Sequence, residues 1–211
     1  MQEYVKSVHM INVNVDEVGP WVWTATDIGL WNITASEWPH LKAMWARHVK
    51  KYNVCVQAGG ACGLYPRLLS ETFGRVYTFE PDPLSFNCLV MNCQKDNIFK
   101  YNAAVGSKNE LISLLRGNPQ NVGENKVGVG DNNVLPTLMI DNLGLDVCDF
   151  IQLDVELYEL NAIQGAEQTI RRCKPVISCE NGTDEILAYL QTLAPYQAVE
   201  TFRMDTVYKV V

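Results

Sequence analysis

The sequence has little of what membrane-bound or nucleic-acid-binding proteins need. Its 24 acidic residues outnumber the 17 basic ones, and the net charge of −7 disfavours binding by neutralisation of backbone phosphates. Its apolar runs stay well short of the roughly 20 residues of a membrane helix, and the opening "MQEYVKSVHM" does not follow the order of a secretion signal. We therefore predict a soluble, cytoplasmic protein of one domain, with neither nucleic acid nor a membrane as partner.

Metal-binding and nucleophilic patterns are also scarce. The seven cysteines are an odd number without a CxxC pair, so neither a disulfide framework nor a zinc knuckle is indicated, and most should be small buried hydrophobes. The three histidines, His9, His40 and His48, all precede the predicted core. A histidine base is therefore disfavoured unless the N-terminal segment folds over the site.

Short apolar runs alternate with helical patterns from Val54 onward, which is typical of an α/β protein with a mostly parallel sheet. The predicted strands are Val54–Ala58, Arg75–Glu80, Ile98–Val105, Asp149–Asp154, Pro175–Glu180, Ala198–Arg203 and Thr206–Val211. The predicted helices are Tyr65–Phe73, Pro83–Lys95, Tyr158–Arg172 and Thr183–Leu193. Only Met204 and Asp205 separate the last two strands, so these strands should form an antiparallel C-terminal hairpin.

Two further segments flank or interrupt this pattern. Residues 1–53 should form an extension of the 54–211 core, with a hairpin-like lead over 1–35 and a helix over Glu37–Tyr52 whose tryptophans belong to the core. The tryptophans of the lead could instead wall a substrate pocket or contact a second subunit, which would make the protein a homo-oligomer. Residues 116–133, rich in glycine and asparagine, should form a mobile loop, and such loops often cover a site.

A glycine turn follows the first core strand, in "VCVQAGGACGLYP". A dinucleotide turn needs G-x-G-x-x-G, but the positions counted from Gly59 hold Ala61 and Leu64, so a nucleotide oxidoreductase is disfavoured. Gly59, Gly60 and Gly63 remain as a tight turn that should bring backbone N–H groups up to a small anion, such as a single carboxylate.

The ends of the next two strands complete a ligand pattern. Glu80 ends the second core strand, where a carboxylate can accept hydrogen bonds from both hydroxyls of a ribose. Asn102, Ala103 and Ala104 follow at the third strand and are small enough for a flat ring. Carboxylate, ribose and adenine in that order describe S-adenosylmethionine, although each piece alone could be an ordinary turn or helix cap.

Four segments in order resemble the motifs of the FkbM-type methyltransferases, which use S-adenosylmethionine. The family's "VDVGANIG" is matched by "VQAGGACG" at 56–63, its F-E-P by Phe79 to Pro81, and its N-A-A-V/L-G by residues 102–106. The family's K-I-D-V-E-G-x-E-x-x-x-L-x-G-A is matched by "QLDVELYELNAIQGA" at 152–166. Four residues depart from these motifs: Gln57 replaces an aspartate, Ala61 an asparagine, Gln152 a lysine and Leu157 a glycine.

The resemblance implies a doubly wound, Rossmann-like methyltransferase fold with a seven-stranded sheet, and methyl transfer to a hydroxyl oxygen of a sugar, glycan or small metabolite. The donor should contact the strand ends, at Gln57, Ala58, Gly59, Gly60, Gly63, Glu80, Pro81, Asn102, Ala103 and Asp154. Gln57 could hydrogen-bond the donor's amino group through its amide oxygen. The alternative is a binding or assembly module that kept this fold without turnover, as the departures at Gln57, Ala61 and Leu157 would allow.

The catalytic candidates are carboxylates at the central strands. A hydroxyl acceptor has to lose its proton, and Asp154, or Glu156 in the following turn, is the candidate proton acceptor or positioning group. Glu180, with Asn181 and Asp154, resembles the magnesium pattern of catechol-type methyltransferases, but a hydrogen-bonded strand end explains these residues without a metal. DNA base methylation is disfavoured, because "DVEL" stands where N/D-P-P-Y/F would be needed.

Overall fold

The structure is a computed structural model that describes residues 8–12, 20–24, 38–115, 125–128 and 134–211. Its strands are β1 (Val8–Asn12), β2 (Pro20–Thr24), β3 (Val54–Ala58), β4 (Arg75–Phe79), β5 (Ile98–Tyr101), β6 (Ala104–Val105), β7 (Leu111–Leu115), β8 (Lys126–Gly128), β9 (Val134–Leu138), β10 (Phe150–Leu153), β11 (Val176–Glu180), β12 (Tyr196–Phe202) and β13 (Asp205–Val210). Its helices are α1 (Trp38–His48), α2 (Leu64–Leu69), α3 (Pro83–Asn92), α4 (Glu159–Gln164), α5 (Glu167–Cys173) and α6 (Asp184–Leu193), with a 3₁₀ helix at Ile140–Leu143.

The main sheet has seven strands in the order β12-β13-β11-β10-β3-β4-β5. Strands β11, β10, β3, β4 and β5 pair in parallel, while β13 is antiparallel to both β11 and β12. The predicted α/β sheet with its antiparallel C-terminal hairpin is therefore confirmed. The chain order reverses between β3 and β10, and ligands of open α/β sheets bind at the carboxyl ends of strands beside such a reversal.

One face of the sheet is covered by the N-terminal elements. Trp38 and Trp45 of α1 are buried against this face, as predicted for core residues. Trp21 and Trp23 of β2 are buried in the same core, so these two neither wall a pocket nor present a surface to another subunit. Their size explains the placement, because a large aromatic ring gains most from being removed from water.

All seven cysteines are free and six of them are buried, which confirms that they act as small hydrophobes. In the part of the chain that the structure describes, none of the helices is both long and apolar enough to cross a bilayer.

Two predicted elements are each divided in the structure. The strand predicted over Ile98–Val105 is β5 and β6, which belong to different sheets. The helix predicted over Tyr158–Arg172 is α4 and α5. The break lies at Gly165, where a β-carbon would fall 1.9 Å from the carbonyl oxygen of Gly106. The close contact between these two backbones ends α4, although the apolar pattern continues.

The part of the chain that connects β5 to β10 forms a second sheet, which the sequence did not predict. It has the order β6-β9-β7-β8 and packs Ala104, Leu114 and Leu135 into a small apolar cluster. Residues 126–128 of the predicted mobile loop form β8 of this sheet. The rest of that loop, 116–124 and 129–133, lies outside the described residues, as does Trp31 of the predicted lead.

Candidate active site

A cleft opens at the carboxyl ends of β3, β4 and β10, the edge at which the strand order reverses. Its empty volume is about 650 Å³, counted with the solvent space at its mouth. The cleft is lined by strand ends on one side and by the small sheet on the other: Ala58, Gly59, Ala61, Phe79, Glu80, Pro81, Ser85, Ala103, Ala104, Val105, Leu114, Asn125, Val127, Asp154, Val155, Glu156 and Tyr158.

The glycine turn shapes one wall of the cleft, but four of its N–H groups already donate hydrogen bonds within the protein. Gly59 N and Gly60 N both donate to the Phe79 carbonyl, at 3.1 and 2.9 Å, and Gly63 N donates to the Gly60 carbonyl at 2.7 Å. Ala61 N donates to Glu80 Oε2 at 2.7 Å. Three of these hydrogen bonds connect the turn to the end of β4, and the fourth closes the turn itself. The prediction of an anion-binding turn is therefore wrong for these four N–H groups.

Glu80 is the best-anchored carboxylate of the cleft. It is buried, its Oε2 accepts from Ala61 N, and its Oε1 accepts from Asp82 N at 2.7 Å. Burial raises the pKa of Glu80 to about 7; the two backbone hydrogen bonds oppose this shift, and the nearby Asp82 adds to it. Because a carboxylate has about four acceptor positions, both oxygens can still accept from a ligand's hydroxyl groups.

The two residues after β5 have different roles: Asn102 holds the strand ends together, and Ala103 lines the cleft. Asn102 is exposed, and its Nδ2 donates to the carbonyls of Glu80 and Pro81 at 2.8 and 3.1 Å. It therefore holds the end of β5 against the end of β4. Ala103 lines the cleft, where its small side chain leaves space for a flat ring.

Gln57 lies behind the cleft wall, not in it. Its side chain is fully buried, its Oε1 accepts from Thr78 Oγ1 at 2.5 Å, and its Nε2 donates to the Gly59 carbonyl at 3.0 Å. The predicted contact between this amide oxygen and the donor's amino group is therefore not supported. Gly60 and Gly63 also face away, since a β-carbon on either would meet Leu89 of α3 within 3.3 Å.

Three carboxylates meet at the ends of β10 and β11. Asp154, Glu156 and Glu180 each place an oxygen within 4.8 Å of the others. The pKa of Asp154 is raised well above its ordinary value, mainly by burial and then by the negative charges of Glu180, Glu156 and Asp205. The cluster therefore favours one more positive charge, supplied by a proton, a cationic ligand or a metal ion.

The donor set fits a hard divalent cation such as magnesium, because it consists of carboxylate oxygens. Asp154, Glu156 and Glu180 would hold such an ion. The hydrogen-bonded strand end is also present, since Asn181 Nδ2 donates to Glu180 Oε2 at 3.3 Å. The same residues thus suit both interpretations that the sequence left open.

The turn after β10 is organised by Glu159, at the start of α4. Its Oε1 accepts from Val155 N at 3.1 Å, and the side chain is buried. Glu156 and Leu157 in this turn have φ values of +54° and +71°, a left-handed conformation that costs L-residues about 1–2 kcal/mol each. The hydrogen bond from Val155 to Glu159 helps to hold the strained turn, so Glu159 has a structural role in the turn before α4.

Several cleft residues were not found from the sequence. Tyr158 lines the cleft beside Glu156, and its only signal was an aromatic residue two places after a candidate carboxylate. Leu114 and Val127 come from β7 and β8, which the sequence did not predict. Leu114 lies just before the 116–133 segment predicted to cover the site, and Val127 lies within it.

Comparison with known proteins assigns this chain to a family. The model of the methyltransferase FkbM domain matches residues 65–204. The methyltransferase FkbM from Methylobacillus flagellatus KT has a similar structure, with a TM-score of 0.55 and 20% identity over 74% of this chain and 43% of that one. The Pyrococcus abyssi tRNA (uracil-54, C5)-methyltransferase, solved with S-adenosyl-L-homocysteine, has a TM-score of 0.52 and 13% identity over 96% and 44%.

The chain spans less than half the length of either of these two proteins, and at such identities their structures show a shared fold alone. A search of curated proteins found no match. The family rests on the domain match, which covers well over half of the chain. On that match, the protein belongs to the methyltransferase FkbM domain family.

Proposed function

We propose that the protein transfers a methyl group from S-adenosylmethionine to a hydroxyl oxygen of a sugar or another small metabolite. The observation that carries the proposal is the position of Asp154, which lines the cleft and whose pKa burial and neighbouring carboxylates raise. A carboxylate with a raised pKa is a better proton acceptor near neutral pH than an ordinary one. The family match supports methyl transfer, while the acceptor is inferred from the chemistry of Asp154.

The cleft fits the donor at three points. Glu80 would accept from the ribose hydroxyls with the lone pairs that Ala61 N and Asp82 N leave. Ala103, Ala104 and Val105 offer a narrow apolar wall to the purine. The carboxylate cluster favours the cationic end of the donor. When bound, S-adenosylmethionine would supply the methyl group, whose bond to the positively charged sulfur would break with the electron pair left on a neutral sulfur.

The protein's own part in the reaction is to hold the acceptor and take its proton. Asp154 sits at the carboxyl end of the central strand β10, and Glu156 follows in the turn. Removal of the hydroxyl proton by one Asp154 oxygen leaves the acceptor oxygen with the electron pair that forms the new bond. Tyr158, which also lines the cleft, would help to position the acceptor.

Calorimetric titration with S-adenosylmethionine tests the donor site and separates an enzyme from a module without turnover. We expect micromolar binding and a loss of at least about tenfold in Glu80→Gln, corresponding to about 1.4 kcal/mol. We expect no change in Glu110→Gln, whose side chain is exposed and does not line the cleft. Absence of binding by the wild type at millimolar donor would overturn the proposal.

Methyl transfer itself can be followed with isotopically labelled donor and a panel of sugars and hydroxylated metabolites. Asp154→Asn should lose at least about a hundredfold in rate, the usual contribution of a positioned base, while still binding the donor product. Transfer to nitrogen or carbon acceptors, but not to hydroxyls, would contradict the O-directed assignment.

A further inference from the structure

The N-terminal strands form a small sheet of their own. Among the described strands, β1 and β2 pair with each other and with no strand of the other two sheets. A two-stranded sheet is marginally stable in water by itself, so this one depends on contacts with the rest of the protein. Two of these contacts are with α2, which follows the glycine turn, and with α3, which packs against that turn.

Asn92, the last residue of α3, pairs with the backbone of β2. It is buried, its Oδ1 accepts from Val22 N at 2.7 Å, and its Nδ2 donates to the Val22 carbonyl at 2.7 Å. A side-chain amide carries the same donor and acceptor groups as a peptide. Asn92 therefore pairs with Val22 as a residue of a neighbouring strand would.

The same amide also holds the glycine turn. An NH₂ group has two hydrogens to donate, and Asn92 Nδ2 also donates to the Cys62 carbonyl at 2.6 Å. Cys62 lies between Ala61 and Gly63, whose φ values are +42° and +92°, so the direction of its carbonyl is not set by a helix or a strand. The hydrogen bond from Asn92 fixes this direction, and one buried side chain thus links β2 to the turn.

The turn that Asn92 holds places a carboxylate of the cleft. Ala61 N, one residue before Cys62, donates to Glu80 Oε2 at 2.7 Å, and both Ala61 and Glu80 line the cleft. A shift of Cys62 would move the N–H group of Ala61 and, with it, the Glu80 carboxylate. Undocking of β2 therefore reaches the part of the cleft that is proposed to bind the ribose.

A second contact between β2 and the turn runs through α2. The guanidinium of Arg67 lies over the ring of Trp21, 4.6 Å from its centroid, which is a stabilising cation–π geometry. Arg67 N donates to the Gly63 carbonyl at 3.2 Å. The strand pair is thus attached to the turn from two directions, through Asn92 and through Arg67.

We propose that Asn92 is a positioning residue that couples the docking of β1 and β2 to the binding of the methyl donor. Such a coupling is reciprocal, so a donor held by Glu80 should strengthen the docking of β2, and loss of docking should weaken donor binding. The proposal rests on the proposed function, because it needs a donor in the cleft. It gives the N-terminal strands a part in donor binding, although none of their described residues lines the cleft.

Amide hydrogen exchange and calorimetric titration, both with S-adenosylhomocysteine and the full chain, test this coupling. In the wild type, saturating ligand should slow exchange of the Val22 amide by at least about fivefold. Asn92→Leu is close to asparagine in size but makes none of the three hydrogen bonds, so it should raise the Kd by at least about tenfold and abolish the slowing. Val22→Pro removes the hydrogen bond from Val22 N but leaves Asn92 on Cys62, so it should raise the Kd by at least about threefold.

Asn97→Leu is the matched control. Asn97 Nδ2 donates to the carbonyls of Ser70 and Phe73, each at 3.0 Å, so this variant also loses hydrogen bonds to the backbone, but none to β2 or to the glycine turn. It should be less stable than the wild type and yet bind S-adenosylhomocysteine equally well. Circular dichroism establishes that each variant is folded.

The coupling is overturned if Asn92→Leu binds S-adenosylhomocysteine as the wild type does, or if it loses no more affinity than Asn97→Leu. It is also overturned if the ligand leaves exchange of the wild-type Val22 amide unchanged and Val22→Pro keeps the wild-type Kd, since Asn92 would then act on the turn alone. These last two measurements decide the question even if Asn92→Leu does not fold. Absence of S-adenosylhomocysteine binding by the wild type would overturn the proposed function and this inference together, whereas binding without coupling overturns this inference alone.

Discussion

The backbones of Gly59 and Asp154 touch, so closely that a β-carbon on Gly59 would fall 1.7 Å from the Asp154 carbonyl oxygen. Asp154 N also donates to the carbonyl of Ala58, the residue before Gly59, at 3.1 Å. The glycine turn therefore serves the site by letting β3 and β10 approach each other. The candidate proton acceptor is placed by this contact.

Gly59→Ala should accordingly lower the free energy of unfolding by more than about 3 kcal/mol, since it combines a backbone clash with a left-handed φ of +84°. The matched control is Gly144→Ala, at φ +59° with no atom within 4 Å of the added carbon. That variant should lose only about 1 kcal/mol. Urea denaturation of both measures the difference, and equal losses would show that the contact with Asp154 is unimportant.

The raised pKa of Glu80 leads to a prediction of how the free energy of unfolding depends on pH. Its pKa in the folded protein is about 7, against an ordinary value of 4.5, so between these pH values the folded protein holds a proton that the unfolded chain has released. The stabilisation is fully present below pH 4.5 and is lost as the pH rises through 7, a change on the order of 3 kcal/mol. The raised pKa of Asp154 acts in the same direction.

Denaturation at a series of pH values from 5 to 8 checks this prediction. Glu80→Gln keeps the shape of the side chain but cannot ionise, so the decline in stability should become shallower, with the contribution of Asp154 left. A decline equally steep in Glu80→Gln and wild type would contradict the assignment of this titration to Glu80.

The sequence predicted the main sheet well because its strands are continuous apolar runs bounded by turn residues. It did not predict the small sheet, because strands β7, β8 and β9 are only three to five residues long. A stretch rich in glycine and asparagine also interrupts this part of the chain. It also placed Glu80 and Asp154 at strand ends correctly.

The spacing of residues along the chain could not show which way each side chain and N–H group points. Gln57 and Gly59 are two residues apart, yet Gln57 faces Thr78 inside the protein and Gly59 lines the cleft. The N–H groups of the glycine turn likewise depend on the Phe79 carbonyl of a neighbouring strand. Such contacts follow from the register of β3 on β4, which local sequence patterns do not contain.

We predict that replacing Leu157 by glycine makes the protein more stable. It is 68% exposed and has a φ of +71°, so its side chain gains little from packing while its backbone is strained. Leu157→Gly removes the strain and should raise the free energy of unfolding by about 1 kcal/mol, after the entropy of glycine in the unfolded chain is subtracted. Leu111→Gly, at a 72% exposed strand position, should lower it instead. A loss of stability in Leu157→Gly would show that Leu157 makes a contact worth more than the strain.

We predict that substitutions at Gln57 and Gln152 have coupled effects on stability. They are register partners on β3 and β10 and are both buried, and the FkbM motifs have aspartate and lysine at these two positions. Gln57→Asp or Gln152→Lys alone buries an unpaired charge and should cost about 3 kcal/mol or more. The double variant restores a charge pair, so its loss should be smaller than the sum of the single losses by about 1–3 kcal/mol. Urea denaturation of the four proteins gives this coupling energy directly. Additive losses would mean that the two introduced side chains do not interact.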